Sequence, residues 1–392
     1  MAVPKHCLGD FSPPYQLRER KNQFVTNHSR PKKINNKGNL KMPKKIEVGI
    51  LGATGAVGQR FVELLENHPW FQVTELAASE KSAGKTYEEA MQGRWKISAD
   101  IPEYARKMKV KECIPPLNCK LVFSGLDAAV AGEIEGSFAK AGYIVSSNAK
   151  NYRMEQDVPL LIPEVNAEHL NLIKIQQKKR NWKGFIITNP NCTTIGMVMA
   201  LAPIHKKFGV KKVIMTSMQA LSGAGYPGVP SMDILDNVIP YIGGEEEKVE
   251  AETLKLLGDF SKEKVVFPEM RVSAHCNRVN VKDGHTETVS FELAKKTNIN
   301  EIKKELINYN PLKNLNLPSA PKRPIIYREE ADRPQPRLDR DLEKGMAAVV
   351  GRLRPCKVLD YKFTVLSHNT IRGAAGCAIL NAELLKAKGF LD

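Results

Sequence analysis

The sequence predicts an α/β protein in two parts, a parallel, doubly wound sheet of the Rossmann-like kind followed by an α+β half. Three observations carry this. From Ile46 onward, short apolar strands alternate with amphipathic helices, the pattern of a sheet covered on both faces. A glycine-rich turn joins the first strand to the first helix, as a dinucleotide site requires. After Asn191 the strands lengthen and follow one another closely, which implies a largely antiparallel or mixed sheet.

The elements follow in order. The first 45 residues hold eleven Lys/Arg against Asp10 and Glu19, with no helical or strand period, so the head is expected to be disordered and dispensable, with Met42 as a possible start. A basic arm for a partner and an organelle transit peptide are its functional alternatives. IEVGIL is the first strand and AVGQRFVELLENH a helix with Val57, Phe61, Leu64 and Leu65 on one face. QVTELAA, KLVFSG and YIVSSN supply further strands, with a helix around Ala128 to Ala141 between the last two. FIIT then leads into an apolar helix, IGMVMALAPIHKKFG. In the second half, KKVIMTSMQA, the run from Met270 to Val281, TETVSFEL, MAAVVGRLR and KVLDYKFTVL read as strands, and EEKVEAETLKLLG and INEIKKELIN as helices. NTIRGAAGCAILNAELLKAKG reads as a terminal helix capped by Asn369 or Thr370, with Ile371, Ala375, Ala378 and Leu385 near one face. The expected domains are a basic extension at 1–43, a nucleotide-binding domain at 44–190, an α+β domain at 191–368, and a helix at 369–392 returning to the first domain.

Composition sets limits on function. With 392 residues, 42% hydrophobic and 26% charged, the chain is soluble globular material for two domains. It has neither the roughly 18 apolar residues of a membrane span nor an apolar leader. Seven cysteines, at spacings such as Cys113 to Cys119, fit neither a disulfide framework nor a zinc site. Reduced thiols, a cytoplasmic location and no metal are therefore expected. The net charge of +16 raises nucleic acid as a partner, but most of the excess lies in the head. The rest is mildly basic, as suits phosphorylated small molecules, and KIQQKKRNWKG and LAKKTNINEIKKELI read as solvated surfaces. Salt-sensitive nucleic-acid binding through the head is kept as an alternative of another class.

Three motifs carry chemistry. Gly52, Thr54, Gly55, Ala56 and Val57 fall in GATGAVG, where glycines let the backbone turn toward a pyrophosphate held by amide N–H groups and the positive helix end. The second strand ends ASEKS, with Ser79, Lys81 and Ser82 where an NAD site usually has an acid. Hydroxyls and a lysine suit the extra 2′-phosphate of NADP, although Glu80 keeps NAD open. Cys192, in NPNCTT, lies at a helix N-terminus, where the dipole and nearby amides favour a thiolate nucleophile and can hold a developing oxyanion. A structural cap is the plain alternative.

Taken together, GATGAVGQRF, ASEKSAGK, SNAKNYR, NPNCTT, MQALSGAGYPG, GGEEEKVEAET, RVNVKDGHTETV and NTIRGAAG resemble the aspartate-semialdehyde dehydrogenase family, in its archaeal and fungal branch, from about Lys44 to the C-terminus. The resemblance implies a catalytic and dimerisation role for the second domain, and a homodimer or homotetramer. It makes Cys192 the nucleophile and His285 the acid/base. Gln219 would orient the substrate, Glu245 meet its amino group, Lys248 its phosphate and Arg278 its carboxylate. Asn369 would meet the nicotinamide, and Ser79 and Ser82 the 2′-phosphate. The implied reaction is NADPH-dependent reductive dephosphorylation of L-aspartyl-4-phosphate to aspartate 4-semialdehyde, feeding lysine, threonine and methionine synthesis. A malonyl-CoA or succinyl-CoA reductase is the enzymatic alternative, and N-acetylglutamyl-phosphate reductase fits the motifs less well.

Overall fold

Buried apolar runs in the first half build one parallel sheet in the order β3-β2-β1-β4-β5-β6. Its strands are β1 (Ile46–Leu51), β2 (Phe71–Ala78), β3 (Val110–Glu112), β4 (Leu121–Ser124), β5 (Ile144–Ser147) and β6 (Phe185–Thr188). The computed structural model describes residues 44–391, so the expectation for the basic head lies outside the described residues. Every residue of β4, β5 and β6 is buried, because helices cover both faces. The strand order reverses between β1 and β4, and that switch point opens a crevice at the carboxyl ends of the strands, where such sheets take ligands.

The first helix, Ala56–Leu64, is shorter than expected. It stops because Asn67 takes a left-handed backbone, φ 55°, so ENH forms the turn into β2. Its buried face is Gly58, Gln59, Phe61 and Val62, with Phe61 stacked on Phe123 at 5.1 Å.

The second sheet runs β10-β7-β11-β14-β13-β12. Its members are β7 (Val210–Gln219), β10 (Arg271–Arg278), β11 (His285–Leu293), β12 (Ile325–Arg328), β13 (Ala348–Pro355) and β14 (Tyr361–Ser367), and β8 (Asp259–Ser261) with β9 (Lys264–Val266) forms a separate hairpin. β10 lies parallel to β7 and β12 to β13, while the other pairs are antiparallel. The expected mixed sheet is therefore present. The short edge strand β12 had no signal of its own, being only IIYR. The helix Cys192–Phe208 is buried on nearly all sides beneath this sheet, which is why its sequence shows little polar face.

The terminal segment departs from the expected single capped helix. Ile371–Ala375 is a π-helical turn with a kink at Ala374 (φ −151°, ψ −106°), and the α-helix begins only at Gly376. Neither Asn369 nor Thr370 caps it; both amide ends of Asn369 are held elsewhere, by Gly284 and Ser222. Gly376 to Leu385 are buried throughout rather than along one stripe. Ser146 of β5 donates to the Ala378 carbonyl at 3.2 Å, so this helix covers the first sheet. Among the described residues, no helix is long and apolar enough to cross a membrane, and no group of three or more His, Cys, Asp or Glu could hold a metal ion.

Candidate active site

Cys192 is the first residue of its helix, and Asn191 caps it: the Asn191 Oδ1 accepts the Thr193 and Thr194 N–H groups at 2.9 and 3.1 Å. Two of the first-turn amides expected to meet an oxyanion are thus already committed. The Asn191 Nδ2 donates to Glu245 at 2.7 Å, which ties the cap to a second helix, Glu245–Leu256. Gly373 of the terminal turn lies directly on the cysteine, where an added Cβ would come 2.7 Å from the Cys192 Cβ. Cys192 keeps a partly exposed face on a cavity of about 440 Å³ that is also lined by Ala56, Val57, Lys150, Arg153, Glu245 and Lys248.

The thiol differs from the expected ready thiolate. Burial first, then the Glu245 carboxylate, pushes Cys192 up to about 12 against the opposing pull of Arg153 and Arg278. The helix end alone does not overcome an anion beside the sulfur. Glu245 stays ionised: burial would raise its carboxyl, but Lys248, paired with it at 2.9 Å, and the Asn191 amide hold it below the usual range. A ligand ammonium on Glu245 would relieve the sulfur. Hence Glu245→Gln should lower the Cys192 pKa and raise its iodoacetamide alkylation rate at pH 8 by about threefold or more, since one pKa unit is tenfold in thiolate at pH well below the pKa. An unchanged or slower rate would show that Glu245 does not control the sulfur.

His285 opens β11 and sits fully buried opposite Ser367. Its Nδ1 accepts the Ala220 N–H at 3.0 Å, so the neutral ring carries its proton on Nε2, which stands 3.2 Å from the Cys192 Sγ. Burial, then Arg278, pushes the imidazole down to about 3. The free ring is therefore neutral at physiological pH, unlike a histidine titrating near 6.5. In this state His285 is a hydrogen-bond donor to sulfur, and a full proton transfer needs the Ala220 contact at Nδ1 to give way.

The other four substrate candidates surround this pair. Gln219, the last residue of β7, is buried and donates to Glu245 at 3.3 Å. Arg278 ends β10, is buried, and donates from Nη1 to the Ala220 carbonyl at 2.7 Å. Ala220 therefore connects Arg278 to His285 through one residue, by its carbonyl on one side and its N–H on the other. Lys248 reaches the cavity beside Glu245. Lys150 and Arg153, inside the SNAKNYR motif, also line it, although neither is among the residues to which the family resemblance gives a role.

At the nucleotide end, Gly52 has φ +74° and an added Cβ at Gly58 would lie 2.1 Å from the Gly52 carbonyl, so the turn is closed by backbone on backbone. Gly55 precedes the helix, no side chain caps its first turn, and Ala56 and Val57 line the cavity. Thr54 is buried behind the turn, its carbonyl accepting from Gln59 at 3.2 Å. Ser79 is exposed and Ser82 buried in the turn after β2. Arg94, which lies in none of the motifs, brings its Nη1 to 3.5 Å from the Ser82 Oγ. Asn369 spends its side chain on the Gly284 N–H and the Ser222 Oγ, both at 2.8 Å, while still lining the cavity.

Fold and site together define an oxidoreductase of the semialdehyde dehydrogenase class. Residues 47–173 match the family model for a semialdehyde dehydrogenase, NAD binding domain, and residues 201–372 that for a semialdehyde dehydrogenase, dimerisation domain. The chain is 53% identical over 342 residues to an aspartate-semialdehyde dehydrogenase of Archaeoglobus fulgidus, covering 87% of this chain and 98% of that one. It is 49% identical over 365 residues to one of Saccharomyces cerevisiae, covering 89% and 99%. A crystal structure of aspartate semialdehyde dehydrogenase with NADP from Candida albicans superposes with a TM-score of 0.81 at 49% identity, over 88% of this chain and 99% of that one. The chain belongs to the aspartate-semialdehyde dehydrogenase family.

Proposed function

We propose that this chain reduces L-aspartyl-4-phosphate to aspartate 4-semialdehyde, with release of inorganic phosphate, through a thioester on Cys192, and so feeds lysine, threonine and methionine synthesis. The observation that carries the reading is the Cys192–His285 contact of 3.2 Å at a cavity lined by Lys150, Arg153 and Lys248 as well as Glu245. Those charges complement a phosphate and an ammonium on one small molecule. Arg278, buried close enough to the sulfur to influence its ionisation, supplies the fork for the substrate carboxylate.

The substrate ammonium neutralises Glu245, which then ceases to oppose the thiolate. The Cys192 sulfur attacks the acyl carbon; the C–S bond forms, the C–O bond breaks as phosphate leaves with its electron pair, and the thiol proton ends on the departing phosphate. The His285 Nε2–H, beside the sulfur, and the Cys192 N–H are the donors assigned to the carbonyl oxygen as it takes negative charge. The Gly52 turn, the uncapped helix start and the Arg94 guanidinium beside Ser82 fit a dinucleotide with a 2′-phosphate. When bound, NADPH supplies the hydride that reduces the thioester carbonyl. Collapse of the reduced carbon then breaks the C–S bond and returns the electron pair to Cys192.

The test runs the reaction backwards. Aspartate semialdehyde plus NADP should be oxidised only when inorganic phosphate or arsenate is present, read by absorbance of NADPH, and coenzyme A should not substitute. Efficient reduction of malonyl-CoA or succinyl-CoA, with phosphate without effect, would sink the acyl-phosphate reading.

The matched dimerisation domain goes with Met232, Leu235, Val238 and Tyr241, exposed apolar side chains within ten residues of chain, as a segment that packs against a second copy would carry. We assign a cytoplasmic homodimer or homotetramer, and light scattering on the purified chain distinguishes the two. A monomer at micromolar concentration would overturn both.

A further inference from the structure

Arg153 reaches the cavity from a segment of turns, residues 149–158, that belongs to no helix or strand. Something else must fix its head. The Arg153 Nη2 donates to the Asn148 carbonyl at 2.7 Å and Nη1 to the Glu252 Oε1 at 2.9 Å. The other Glu252 oxygen accepts the backbone N–H of Asn191 at 2.5 Å. One buried carboxylate therefore holds both the guanidinium and the residue immediately before Cys192. Three residues along the same helix, the Lys255 ammonium donates to the carbonyls of Arg153, Glu155 and Val158 at 2.7, 2.7 and 2.8 Å. Its three protons are all spent on the Arg153 segment.

Glu252 and Lys255 share the buried side of this helix with Glu245, Val249 and Leu256, as spacings of three and four residues require. Neither lines the cavity that Cys192 faces. Burying a carboxylate and an ammonium in that stripe is costly unless every hydrogen-bonding site is used, and here their partners are Arg153 and Asn191 of the cavity wall and the segment that carries Arg153. The helix Glu245–Leu256 thus presents Glu245 and Lys248 to the cavity from its first turn and braces Arg153 from its last two.

We propose that Glu252 and Lys255 are positioning residues that set the Arg153 guanidinium at a fixed distance from Cys192, so that it meets the phosphate of the substrate. The assignment rests on the acyl-phosphate reading above. Glu252→Gln separates the two arms of the brace. The amide oxygen can still accept the Asn191 N–H, but the NH₂ group faces the Arg153 guanidinium and cannot accept from it.

The experiment measures phosphate-dependent oxidation of aspartate semialdehyde by the full chain. Glu252→Gln should raise the KM for phosphate about tenfold or more, the loss of one charge-assisted contact, while the KM for the aldehyde and the NADP affinity stay within about twofold. Lys255→Met should show the same split, and Glu252→Asp should recover less than half of the Glu252→Gln loss because the shorter arm cannot reach both partners. An unchanged phosphate KM in Glu252→Gln, or an equal loss across phosphate, aldehyde and cofactor, would overturn the positioning role and leave the acyl-phosphate reading standing. Phosphate-independent oxidation by the unsubstituted chain would overturn both.

Discussion

Cys192→Ala should abolish turnover, by a factor on the order of 10⁴ or more in kcat, with NADPH affinity kept within about twofold. The substitution removes only the sulfur. Asn191 still caps the helix through its Oδ1, and Gly373 packs against the Cβ that alanine retains. His285 keeps its Ala220 contact, and the Gly52 turn is a separate part of the wall. Without a nucleophile there is no thioester to accept hydride, and the remaining donors can only bind substrate. Steady-state rates in both directions, with a fluorescence titration of NADPH, check this. A variant retaining even a hundredth of the rate would remove Cys192 from the nucleophile role. A loss of NADPH affinity matching the loss of rate would instead mean that the site had collapsed.

The parts of this molecule that were legible in the sequence are those governed by local rules. β1, the Gly52 turn and the helix after it could be read because apolar runs bounded by glycine have few other uses. The same rules misplaced the terminal helix. Asn369 and Thr370 are good caps locally, but the Asn369 side chain is drawn 85 positions away to Gly284, a tertiary demand no window of sequence contains. Cys192 and His285, 93 positions apart, were joined only through family resemblance, since periodicity places them on different elements without bringing them together. The neutral state of His285 was invisible for a similar reason, because it comes from burial and from Arg278 on a neighbouring segment. Lys150 and Arg153 stood inside a quoted motif without a role, and Arg94 outside any motif. For Glu252 and Lys255 a signal did exist: they occupy the side of an amphipathic helix that holds Val249 and Leu256, and charges on a buried side must have partners.

Arg278→Leu should cost about 2 to 4 kcal/mol in kcat/KM for aspartate semialdehyde, and Arg278→Lys less. Two effects add in the leucine variant. The substrate carboxylate enters a wall that no longer answers its charge, and the Ala220 carbonyl loses the Nη1 donor that holds it at 2.7 Å. The second effect reaches the chemistry, because the same residue's N–H holds the His285 Nδ1. Loss of the guanidinium also removes a charge that helps keep the imidazole neutral, so the His285 pKa should rise from about 3 in the variant. An aldehyde lacking the carboxylate separates the contributions. If the guanidinium acts mainly on the carboxylate, that analogue is already poor with the native chain and Arg278→Leu should change its kcat/KM by less than about 1 kcal/mol. If the full penalty persists with the analogue, Arg278 acts through Ala220 and His285, and its place in substrate recognition falls. Lysine in its place keeps the charge without the fork, so it should restore part of the carboxylate term while leaving the Ala220 carbonyl poorly held. The expected order of kcat/KM is therefore native, then lysine, then leucine, and an Arg278→Lys variant no better than Arg278→Leu would show that the geometry of the fork, rather than its charge, is what the substrate reads.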